Sequence, residues 1–66
     1  VTGLEVLSRR EEEVARLASS GLTNMQIADR LFISEATVKR HLATIFQKTD
    51  VSSRRELAKL YENRRG

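Results

Sequence analysis

The run Thr23-Asn24-Met25-Gln26-Ile27-Ala28-Asp29-Arg30-Leu31-Phe32-Ile33-Ser34-Glu35-Ala36-Thr37-Val38-Lys39-Arg40-His41-Leu42-Ala43-Thr44-Ile45 holds two helical patterns on either side of a three-residue interruption. Thr23 offers a side-chain oxygen as an N-cap, and Ile27, Ala28 and Leu31 then form an apolar stripe barely two turns long. Phe32-Ile33-Ser34 breaks that stripe. Ser34 can cap a second helix, on which Val38, Leu42 and Ile45 recur at i, i+4 and i+7. The first of the two helices is too short to stand alone, so the pair must pack on something else.

The flanks supply it. Upstream, Ser8 followed by Glu11 matches a capping box, and Glu11, Glu12 and Glu13 fall where the positive end of a helix dipole favours acids. That acidic run reads otherwise as a solvated face. Val14, Leu17 and Ala18 recur at i, i+3 and i+4, and Gly21 stands where a left-handed C-terminal cap is expected. Downstream, Thr49-Asp50-Val51-Ser52-Ser53 is turn-like, and Ser53 with Glu56 repeats the capping signature before Leu57, Leu60 and Tyr61. No period-two pattern persists and nothing repeats. The expectation is an all-α, four-helix domain with helices near 8–20, 24–31, 35–48 and 54–62. It forms one domain over 1–66, with a linker remnant at 1–6 and fraying at 63–66.

Composition narrows the function. Sixty-six residues support one small core and seldom enclose a catalytic cleft. With no Cys and one His, disulfides and thiolate zinc sites are excluded, so neither metal nor cofactor is expected. No Ser-His-Asp arrangement or phosphate-cradling Gly loop is suggested, and the chain reads as no enzyme. No apolar run approaches a membrane span and no signal peptide is evident, which points to a cytoplasmic location. The start at Val1 rather than Met suggests a piece of a longer or processed protein. Residues 1–33 carry four basic and five acidic side chains, net −1, whereas 34–66 carry eight and four, net +4. The positive charge belongs to the second half.

Two short helices across a tight turn form the unit that presents its second helix to a DNA major groove. Ala28 sits where the first helix must be small for the second to approach, with Ile27, Ile33 and Val38 closing the corner. With Val38, Leu42 and Ile45 turned to the core, Glu35, Ala36, Lys39, Arg40 and Ala43 face outward. Lys39 and Arg40 can donate to guanine or to phosphate, while Ala36 and Ala43 permit close approach or contact with a thymine methyl. His41 lies beside the core face, within reach of a phosphate or a backbone carbonyl.

The motifs Leu7-Ser8-x-Arg10-Glu11-x-Glu13-Val14, Gly21-Leu22-Thr23-Asn24, Ile27-Ala28-x-x-Leu31-Phe32-Ile33-Ser34, Thr37-Val38-Lys39-x-His41-Leu42, Ile45-Phe46-x-Lys48 and Ser53-Arg54-x-Glu56-Leu57-Ala58 together resemble the LuxR-type helix-turn-helix family. The resemblance runs from Leu7 to Leu60. It implies the C-terminal output domain of a bacterial transcription regulator of the response-regulator kind. The third helix would lie in the major groove of double-stranded DNA, and the fourth would pair protomers into a homodimer through Leu57, Leu60 and Tyr61. RNA polymerase is a further partner. By position, base reading falls to Lys39, Arg40 and Ala43, and backbone contacts to Thr23, Asn24, Ser34, Thr37, His41, Lys48 and Arg54. The chain makes three departures from the pattern. Met25 replaces a frequent basic residue, Ala43 lacks a donor common there, and Thr49-Asp50 stands for Leu-Gly. Asp50 can still adopt the left-handed conformation of that Gly.

Two other readings compete. A sigma-factor region 4 shares the capped first helix and a similar Thr-Val-Lys stretch and would contact core polymerase as well. A protein-interaction module could use Leu57, Leu60 and Tyr61, but would not need Lys39 and Arg40 exposed.

Overall fold

Each helix begins at a hydroxyl side chain that accepts from the orphan N–H groups of its first turn. The computed structural model describes the backbone of residues 6–65 and the side chains of 6–62. Among these lie four helices and no strand: α1 (Arg9–Ser19), α2 (Asn24–Leu31), α3 (Glu35–Thr49) and α4 (Arg54–Arg65). Apart from Val6, the linker expected at 1–6 lies outside the described residues. Of the terminal residues 63–66, the backbone of 63–65 belongs to α4, and Gly66 lies outside the described residues.

The caps differ in completeness. Ser8 Oγ accepts from the Glu11 N–H at 3.2 Å and Glu11 Oε1 accepts from the Ser8 N–H at 2.9 Å, a full capping box. Thr23 and Gln26 form a second box, with 3.1 and 2.8 Å bonds. Ser34 Oγ accepts from the Thr37 N–H at 3.1 Å and also meets the Thr37 hydroxyl at 2.8 Å. The box expected of Ser53 and Glu56 is only half made. Ser53 Oγ accepts from the Glu56 N–H at 3.3 Å, but the Glu56 carboxylate turns to Ser52, accepting from its N–H at 2.8 Å and its hydroxyl at 2.6 Å.

Three helices end alike. Gly21, Phe32 and Asp50 are left-handed, with φ of 96°, 59° and 58°. The next residue's N–H reaches back five positions in each case, from Leu22 to Leu17, Ile33 to Ala28 and Val51 to Phe46. Leu22, Ile33 and Val51 then lie against the core, the apolar contact that accompanies this closure. Only the first of the three uses glycine. Asp50 adopts the conformation anticipated for it; Phe32 does so with a bulky side chain, at a cost of about 1–2 kcal/mol.

The core draws on all four helices: Val14, Ala15 and Ala18 from α1, Ile27 and Ala28 from α2, Val38, Leu42 and Ile45 from α3, and Leu57 from α4. Helix α1 touches each of the others and α2 packs on α3. Ala28 is buried at that crossing, so a larger side chain there would force the two helices apart. Thr49, where the resembled family has Leu, is buried too, and its hydroxyl satisfies itself on the Ile45 carbonyl at 2.7 Å. No helix among the described residues is long and apolar enough to cross a membrane.

Candidate nucleic-acid interface

The apolar period of α3 decides what its other face shows. Val38, Leu42 and Ile45 are buried, which leaves Glu35, Ala36, Lys39, Arg40 and Ala43 exposed together. Lys39 and Arg40 make no ion pair among the described residues, whereas Arg10, Arg16 and Lys48 each face a carboxylate. The two alanines beside them leave room for a flat surface to approach. At the amino end of the helix, the exposed Ser34 and half-buried Thr37 hydroxyls are joined to each other. His41 is half-buried next to the core face.

The remaining polar residues expected at the interface are differently occupied. Lys48 Nζ donates to Glu11 Oε1 at 2.8 Å, binding the end of α3 to the start of α1. Hydrogen bonding from Lys48, with the Ser8 N–H next in effect, holds the Glu11 carboxyl below its ordinary value. Arg54 Nη1 donates to the Leu22 carbonyl at 2.7 Å, and its Nη2 donates to Asn24 Oδ1. Thr23 and Asn24 open α2, Thr23 as its cap. The two cations thus hold elements together. A phosphate would have to share them.

These commitments were not visible in the chain, because Lys48 and Glu11 are 37 residues apart and Arg54 and Asn24 are 30 apart. The acidic run is likewise not one solvated face. Glu12 and Glu13 pair locally with Arg16 and Arg10, but Glu11 is buried. A capping-box acid is the available signal, since reaching back to the cap draws the side chain against the fold.

Leu57 corrects the expected pairing surface. It is 0% exposed, enclosed in this chain's own core, and offers nothing to a second protomer. Leu60 and Tyr61 remain half-buried against that core, and the Tyr61 hydroxyl lies 3.5 Å from the Glu12 carbonyl. Met25 and Phe32, by contrast, are 62% and 94% exposed, an exposure that their sequence pattern did not announce.

Comparison with known proteins agrees with this architecture. The family model GerE, bacterial regulatory proteins of the luxR family, matches residues 5–61. The chain is 47% identical over 51 residues to the transcriptional regulatory protein DegU of Brevibacillus brevis, covering 77% of this chain and 22% of that protein. It is 44% identical over 54 residues to the transcriptional regulatory protein LiaR of Bacillus subtilis (strain 168), covering 82% and 26%. To the Fimbriae Z protein of Escherichia coli (strain K12) it is 47% identical over 60 residues, covering 86% and 29%. The chain therefore spans about a quarter of the length of these curated relatives. A match over nearly all of α1 to α4 leaves one conclusion: the chain belongs to the luxR family of bacterial regulatory proteins.

Proposed function

We propose that this domain binds double-stranded DNA in a sequence-selective way, with α3 in the major groove, as the DNA-binding part of a cytoplasmic bacterial transcription regulator. The observation that carries this reading is the exposed face of α3, where Lys39 and Arg40 stand beside Ala36 and Ala43 without ion pairs among the described residues. Arg40 suits a bidentate contact with guanine, and Lys39 a point contact with base or phosphate. Ala36 and Ala43 would meet thymine methyls. Thr23, Asn24, Ser34, Thr37 and His41 supply backbone contacts, Lys48 adds charge from behind its internal bond, and Arg54 stands behind Asn24.

Relatives named as transcriptional regulatory proteins support the same role. Pairing on DNA would run through Leu60 and Tyr61 of α4, and RNA polymerase is a further partner of the parent protein. Titration of a DNA duplex across a salt series tests the reading. If roughly 4–6 phosphates are neutralised, log affinity should fall against log salt with a slope of about −4 to −5 per protomer. Affinity independent of salt contradicts it.

A further inference from the structure

Arg54 opens α4, yet its guanidinium reaches across the fold to the start of α2. One arm of the fork takes the Leu22 carbonyl at 2.7 Å and the other takes Asn24 Oδ1. We propose that Arg54 is a positioning residue: it turns the Asn24 amide so that its NH2 group serves a DNA phosphate, and it is not itself a phosphate ligand. This rests on the DNA-binding reading above.

The chemistry follows from what a guanidinium can do. It has five donors and no acceptor, so the atom of Asn24 that faces it is the oxygen. The carboxamide nitrogen must then lie on the other side, with two hydrogens for another acceptor. Free of Arg54, the same amide could turn about its last bond and offer its oxygen to a phosphate instead, which is repulsive. The bond to the Leu22 carbonyl fixes the guanidinium plane, and the planar fork does this at little entropic cost.

Location supports the same use. Thr23, Asn24, Glu35 and Arg54 line one open groove of about 600 Å³ between the start of α2 and the first turn of α3. A phosphate beside α3 would pass this mouth. The Glu35 carboxylate lines the same groove, where it would draw a mobile cation to itself and away from an anion. A neutral donor held in one orientation therefore suits the mouth, with the cation one layer back.

A double-mutant cycle on the 66-residue chain separates positioning from direct contact, using a labelled random-sequence DNA duplex titrated across a salt series. Asn24→Ala and Arg54→Met should each weaken binding about tenfold. The double variant should be no weaker than either single one, and the salt slope of Arg54→Met should equal that of the wild type. Losses that multiply, with a slope shallower by about 0.9, make Arg54 a phosphate ligand and overturn the proposal. Unchanged affinity with a lowered melting temperature makes Arg54 merely structural and also overturns it. If circular dichroism shows Arg54→Met unfolded, Arg54→Lys is read in its place. It keeps the charge but not the fork, so it should bind as weakly as Asn24→Ala, and wild-type affinity contradicts the proposal. A wild-type chain that binds no DNA removes the parent reading, and this one with it.

Discussion

The two ends of α3 carry the same kinds of residue and put them to opposite uses. Toward its amino end, Lys39 and Arg40 are exposed and face no carboxylate among the described residues. At its carboxyl end, Lys48 is bound to Glu11, Thr49 caps its own turn on Ile45, and Asp50 closes the helix in a left-handed conformation. What separates them is the neighbouring element. The carboxyl end lies against α1, whose first turn is acidic, while the exposed face at the amino end meets no such element. Eight basic residues in the second half of the chain therefore overstate the charge free for DNA.

The contrast should show first in stability. Ile45→Ala, which empties a fully buried site at the anchored end, should cost about 2–5 kcal/mol by chemical denaturation. Arg40→Ala, on the exposed face, should stay within about 0.5 kcal/mol of the wild type. Comparable losses for the two would erase the distinction between the ends.

Binding should reverse the order. Arg40→Ala should lose about 1–3 kcal/mol of affinity for a preferred site while leaving the melting temperature in place. Lys48→Met should lower the melting temperature, because it leaves the buried Glu11 carboxylate with one donor fewer, and should change sequence preference not at all.

Acid sharpens the anchored end further. The Glu11 carboxyl titrates lower in the folded chain than its ordinary 4.5, so the unfolded chain binds the proton first as pH falls. Its contribution to stability is thus whole above pH 4.5 and is lost as pH drops below that toward the lowered folded value. Thermal melts in an acid series should show a shallower decline for Glu11→Gln than for the wild type. Identical declines would place the acid sensitivity elsewhere.

The smallest effect lies at the turn before α3. Phe32→Gly removes a left-handed cost of about 1–2 kcal/mol and adds about 0.5–1 kcal/mol of unfolded-chain entropy, for a net gain of about 0.5–1 kcal/mol. A loss on denaturation would mean that the exposed ring is held by contacts worth more than its strain.

Local chemistry was legible in the sequence, and distant pairing was not. Ser8, Thr23 and Ser34 announced three helix starts, Gly21 one end, and the spacing of Val38, Leu42 and Ile45 the outward face of α3. These depend on residues within a turn or two of each other. Leu57 shows the limit: its helical spacing with Leu60 and Tyr61 defines a stripe, but which members the other helices cover depends on how α4 settles on α1. Lys48 and Arg54 looked available for the same reason. Their partners, Glu11 and Asn24, come near only when the helices have packed, α3 on α1 for Lys48 and the start of α4 by the start of α2 for Arg54.

That the exposed face of α3 reads bases is tested most directly by selecting binding sites from random duplex DNA in parallel with the wild type, Lys39→Ala, Arg40→Ala and Lys48→Ala. Arg40→Ala should select a motif relaxed at one position of the half-site, Lys39→Ala a motif relaxed where that lysine meets a base, and Lys48→Ala the wild-type motif at lower yield. One identical motif from all four proteins would contradict the assignment of α3 as the recognition helix.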